Sequence, residues 1–209
     1  MGSSFLTTIN VLLGLYCVVI FLKMAIQFGL PTHPGRFTMY LVTLCAAVFF
    51  SLKGLAGLGW LAPVYFLKWR TLPIVAGSMA LLLQVISTLG QLSLLQQKIF
   101  SRLPLIASLL VFAFFPSKAD FFFILCLTSG AIFLTVSVGK ARYQKRMFFK
   151  MVLFLALFGL FTLPNNYWTY VAGELFLFPA LFYFSIFQKT FGISALIEQH
   201  QIESPGVAS

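Results

Sequence analysis

Residues 140–150, KARYQKRMFFK, hold five of the chain's fourteen Lys and Arg residues and stand between two long apolar runs. Charges grouped in this way cannot lie in hydrocarbon, so the chain leaves the membrane here, on the side that retains basic residues. The stretch therefore sets which way the chain threads a bilayer. Outward from it in both directions the sequence is apolar: of 209 residues, 60% are hydrophobic and 9% charged, with a mean hydropathy of +0.99. Soluble domains carry roughly 25% charged residues. The chain reads as an all-α, polytopic integral membrane protein, because a spanning helix needs about 20 mostly apolar residues and such runs follow one another with short polar breaks.

Breaks at charges, prolines and glycine clusters place seven spans at residues 5–26, 38–57, 72–95, 103–115, 121–138, 147–163 and 168–187. Six or eight remain open, since the fourth run is short and Lys53 interrupts the second. The first run has no basic residues before it and no small-residue cleavage site after it, so it is expected to be retained as a span. Residues 54–69, GLAGLGWLAPVYFLKW, are too short for a second full span and too apolar for a free loop. An interfacial segment is the favoured reading and a re-entrant turn the alternative. The expected organisation is a seven-helix transmembrane domain over residues 1–193 and a cytoplasmic polar tail over residues 194–209.

Orientation follows from the distribution of basic residues. Loops after spans one, three and five, with the C-terminus, hold ten: Lys23, Arg36, Lys98, Arg102, Lys140, Arg142, Lys145, Arg146, Lys150 and Lys189. The opposite side holds four: Lys53, Lys68, Arg70 and Lys118. Ten against four predicts an outside N-terminus, a cytoplasmic C-terminus and residence in a cell membrane of the bacterial inner-membrane kind. Trp60, Trp69 and Trp168 then fall on the outer side, at the headgroup level that indole favours, together with Asp120 and Glu174.

The third span has a coherent polar stripe. Gly77, Ala80, Gln84, Ser87, Thr88 and Gln91 recur at spacings of three and four, which places them on one helix face. Lipid cannot satisfy a buried amide, so the stripe must turn inward, and the third span is expected at the centre of the bundle. Its side chains are either hydrogen-bonding contacts between helices or the lining of a polar path. Thr128, Ser129, Gly130, Thr135 and Ser137 make the fifth span its expected partner. Glu174 is the one acid predicted inside a span, a costly position that marks it for function. It either reaches water at the outer end or pairs with Lys53. The candidate path is therefore Gln84, Ser87, Thr88, Gln91, Glu174 and Lys53. Lys140, Arg142, Lys145, Arg146 and Lys150 form the docking patch, for anionic lipid headgroups first and for an acidic partner second.

Several function classes find no support in the sequence. Cys17, Cys45 and Cys126 lie in three different spans without CxxC spacing, which suits small core residues rather than disulfides or zinc. His33 and His200 fall in a loop and in the tail, so no metal or haem pair is expected, and no cofactor is assigned. Ser78 has no histidine to activate it, and neither paired intramembrane carboxylates nor a phosphate loop occurs, so no catalytic residue is assigned and an enzyme is the least supported class. The net charge of +10 sits beside apolar runs, which fits membrane lipids and not nucleic acid. The expected function is a non-catalytic subunit or scaffold of a membrane complex, with other subunits as partners. The alternative is a small-solute transporter or a ligand-binding, receptor-like bundle.

Overall fold

The computed structural model describes residues 2–29, 34–88, 94–136, 142–164 and 166–203. Among them the chain forms helices and no strand: α1 (Gly2–Phe28), α2 (Pro34–Gly57), α3 (Pro63–Trp69), α4 (Thr71–Thr88), α5 (Leu94–Phe100), α6 (Leu103–Phe114), a 3₁₀ turn at Pro116–Lys118, α7 (Ala119–Val136), α8 (Arg142–Thr162) and α9 (Tyr167–Glu203). Five stretches are long and apolar enough to cross a membrane: Ser4–Phe28, Pro34–Gly57, Pro63–Ser87, Pro116–Val136 and Tyr167–Ser194. The helix boundaries follow local chemistry. Pro34 and Pro63 each open a helix, where a missing N–H costs nothing. Gly29, at φ 64°, closes α1 by bonding its N–H to the Ala25 carbonyl at 3.1 Å.

Neighbouring helices are tied at both ends. At one end of the α1–α2 pair the Thr7 hydroxyl donates to the Gly57 carbonyl at 3.0 Å. At the other, Arg36 donates through Nη1 to the Phe28 carbonyl at 2.7 Å, and the Tyr40 hydroxyl donates to the Gly29 carbonyl at 2.6 Å. The pair is thus antiparallel along its length. α8 and α9 form a second such pair, with Gly173 against Phe158 and Thr162 at one end and Gln144 donating to Ser194 at 3.2 Å at the other. α4 lies between, packed on α2, α6 and α7 and touching α9. One core joins α1, α2, α4, α7, α8 and α9 and includes the fully buried Leu13, Val85, Phe148 and Phe187.

The structure differs from the sequence reading in its details. Within residues 54–69, α2 runs on to Gly57, where the second span is expected to end, a turn carries Gly59 at φ 77°, and the short helix α3 follows. No α3 residue is buried, and with α4 it makes the continuous apolar stretch Pro63–Ser87. α9 passes residue 194 without a break and stays helical to Glu203. α7 does pack on α4, but through Gly130, which sits against Val85 and Leu82. The Thr128 hydroxyl is exposed and donates back to the Ile124 carbonyl of its own helix at 2.9 Å.

The α2–α4 contact depends on Gly77, where an added Cβ would lie 3.0 Å from the Cys45 Cβ. Gly77→Val forces the two helices apart and is expected to destabilise the protein by about 1–3 kcal/mol, as overpacking does. Gly159→Ala on α8, with nothing within 4 Å of the new methyl, is expected to be neutral or mildly stabilising. Thermal unfolding in a mild detergent, followed by loss of the monodisperse species, measures both.

Candidate functional site

The inward face of α9 carries two polar groups in an otherwise apolar stripe. Glu174 and Gln188 are fourteen residues apart, which is about four turns, so they share a face about 21 Å apart along the axis. Both are fully buried. Between them the same face presents Leu177, Ala180, Leu181 and Phe184, all buried.

Each polar group reaches a different helix. Glu174 accepts an ion-paired hydrogen bond through Oε1 from the Lys53 ammonium of α2, whose side chain is 15% exposed. Lys53 also sits over the Phe158 ring of α8, 5.6 Å from its centroid, so this single cation touches three helices. Gln188 exchanges two hydrogen bonds with Gln84 of α4, each 2.9 Å, amide to amide. A reciprocal pair of this kind satisfies a donor and an acceptor on each side chain, and in an apolar interior that is what makes the two amides tolerable. α9 is therefore clamped to α2 near its start, at Glu174, and to α4 about four turns further on, at Gln188.

Between the clamps lies a cavity of about 410 Å³, walled by α2, α4, α7, α8 and α9. Its middle is lined by small residues, Cys45, Ala46, Gly77, Ser78 and Ala180, and this is why helices in contact leave a space there. Phe49, Phe123, Leu155 and Phe184 supply apolar bulk around it. The polar lining gathers at the Lys53 end with Arg70, Asp120 and Tyr170. Arg70 donates through Nη2 to Asp120 at 2.7 Å in a second ion pair, and the Asp120 side chain is 60% exposed, so water screens it. Tyr170 lies against the Glu174 carboxylate, and Arg70 Nε is buried with no hydrogen-bond partner among the described residues.

The sequence-predicted residues are thus divided among several places. Lys53 and Glu174 meet each other, and Lys53 lines the cavity. Gln84 is joined to Gln188 and is not among the lining residues, so the third-span stripe reaches this space at Gly77 and not through its amide. Ser87 is half-buried beside Thr38, Phe100 and Ser101, and Thr88 is the last residue of α4. Gln91 and Lys140 fall outside the described residues. Arg142 and Arg146 are exposed on the first turns of α8, while Lys145 and Lys150 are partly covered. The Lys150 ammonium lies 4.9 Å from the centre of the Tyr183 ring. Cys17, Cys45 and Cys126 are buried and free.

Sequence reasoning missed Gln188, Arg70 and Asp120 as site residues. Gln188 was within reach, because counting helical register from Glu174 puts it on the same inward face. Arg70 and Asp120 are fifty residues apart, and nothing local announces their pairing. No protein family, no curated protein and no solved structure matches this chain.

The Gln84–Gln188 pair is open to a double-mutant cycle. Gln84→Leu and Gln188→Leu each strand a buried amide and are expected to destabilise by about 1–3 kcal/mol. The double variant removes both partners and is expected to lose clearly less than the sum, as read from thermal unfolding in detergent.

Proposed function

We propose that the protein is a multi-pass membrane protein that works by binding an apolar or amphipathic molecule inside its helix bundle, without catalysing a reaction. The observation that carries this reading is the cavity of about 410 Å³ between the two clamps, apolar along its length and polar at one end. That size lies in the range of small-ligand sites, about 300–1,000 Å³, and so does the pattern of an apolar wall with a few convergent polar groups.

The same reading takes the chain as seven passes with the N-terminus outside and the C-terminus in the cytoplasm of a bacterial inner membrane. The way helix ends meet supports it. α6 has only twelve residues, yet the Pro116 carbonyl just beyond it accepts from Thr71 at the start of α4, at 3.3 Å. Ser101, just before it, lies with Ser87 near the end of α4, so α6 accompanies α4 from one end to the other. The basic residues of α8 are confined to its first nine positions, where long stems reach headgroups while the remainder stays in hydrocarbon.

A second reading, a non-catalytic subunit of a membrane complex, is favoured by Gln84, whose amide is engaged in helix packing. It is favoured too by Arg142 and Arg146, exposed for a lipid surface or an acidic partner. Gentle solubilisation followed by intact-complex mass spectrometry separates the two: a retained small molecule is expected, and a stoichiometric protein partner with no small molecule would favour the subunit. Topology is tested separately with single cysteines at Ser3 and Ser204, the native cysteines being buried. Impermeant maleimide is expected to label them from opposite sides, and labelling from one side would overturn the seven-pass reading.

A further inference from the structure

The cavity is asymmetric in three respects that together specify what it holds. First, its volume limits the apolar part. A methylene occupies about as much space as a water molecule, ~30 Å³, so about 410 Å³ accommodates roughly fourteen methylenes. That is one hydrocarbon chain and not the two of a bilayer phospholipid.

Second, the wall is thin on one side. α7 and α8 come together at Gly130, where an added Cβ would lie 3.2 Å from the Phe148 ring, but elsewhere they touch each other far less than α8 touches α9 or α4 touches α7. Toward the Lys53 end their side chains line the cavity instead, Phe123 from α7 and Phe158 from α8. Where such a seam meets hydrocarbon, a chain can pass through it without crossing water.

Third, the Lys53 end holds unused hydrogen-bonding capacity. Arg70 engages Asp120 through Nη2, on a carboxylate that is largely solvated, and keeps a buried Nε with no acceptor among the described residues. A buried donor of this kind calls for a partner. The Nε–Nη2 edge of a guanidinium matches two oxygens of one carboxylate or phosphate, and here Nη2 is shared with Asp120 while Nε remains open. Lys53 engages Glu174 through one oxygen and brings a second cation to the same end of the cavity.

Resting on the ligand-binding reading above, we propose that the cavity holds a single-chain amphiphile, inserted laterally between α7 and α8. Its chain lies along Leu177, Leu181 and Phe184, and its carboxylate or phosphate head lies on Arg70 and Lys53. The ligand class is a fatty acid or a single-chain lipid phosphate.

The test uses the full-length protein in nanodiscs of phosphatidylcholine, with hexadecanoate, hexadecyl phosphate and hexadecanol as probes, which share a chain and differ in the head. Binding is read by displacement of a dansyl-labelled undecanoate. At least one of the two anions is expected to bind ten-fold or more tighter than hexadecanol, and the stronger of the two identifies the head. Arg70→Gln is expected to bring that anion to within about three-fold of the alcohol while leaving the alcohol unchanged. Ala180→Phe, which fills the cavity, is expected to abolish binding of all three. Equal binding of hexadecanol and both anions would overturn the head-group assignment while leaving a ligand-binding bundle in place. Failure of every probe to bind the wild-type protein would overturn the binding reading as well. Neither outcome depends on a variant that fails to fold, since the comparison of heads is made on the wild type.

Discussion

A carboxylate with no exposed surface, in a helix long and apolar enough to cross a membrane, is the condition the rest of this structure meets. Glu174 is 0% exposed, and an unpaired charge there would be prohibitively costly. Its partner must therefore come from another helix and arrive at the same depth. Lys53 does so from α2, one turn before that helix ends at Gly57. Once α2 and α9 are joined at this level, the positions of the others follow. α1 is fastened to α2 at both ends, α8 lies along α9, and α4 fills the space between and meets α9 through Gln84 and Gln188. Helices in lipid have no hydrophobic force between them, so polar ties of this kind and close approach at glycine do the joining.

The cavity follows from the same arrangement. Two ties about 21 Å apart along α9 hold it to different helices, while α2, α4 and α9 each place a small residue among the larger ones that face the space between. Cys45, Gly77 and Ala180 cannot fill the gap that Glu174 and Gln188 set at either end. A bundle designed only to pack would place larger side chains there, as cores reach near-crystalline density where nothing needs space. The small residues and the unspent donor of Arg70 at the rim therefore belong to one account. Packing is surrendered in the middle, and the polar groups gather at one end.

Much of the helical layout was legible in the sequence, because apolar runs of membrane length interrupted by Lys, Arg, Pro and Gly carry a strong signal. Glu174 was also legible as an anomaly, since a lone acid in such a run must find a partner, and Lys53 was the one cation interrupting the second run. Ala80 and Gln84 of the third-span stripe are buried, yet the periodicity did not distinguish an amide that bonds a neighbouring helix from one that lines a space. That distinction rests with Gln188, one hundred and four residues away. The cavity was illegible for the same reason: it is a property of facing residues on several helices, and no single helix displays it. The short helix α5 escaped notice because seven residues are too few for a periodic signal, and α3 was marked only as part of an apolar stretch too short to span.

The central claim is that Lys53 and Glu174 hold α2 to α9 as a pair, and a charge exchange examines it directly. Glu174→Lys places two cations together in a buried site, and Lys53→Glu two anions; each is expected to lower stability by several kcal/mol, as the loss of one partner of a buried pair does. Combining the two restores the attraction with its polarity reversed. The account predicts that thermal unfolding of the double variant recovers at least half of the loss seen in the more damaging single variant. A double variant no more stable than that single variant would contradict the claim, and Glu174 and Lys53 would then be two independent charges near each other and not the tie that sets the bundle.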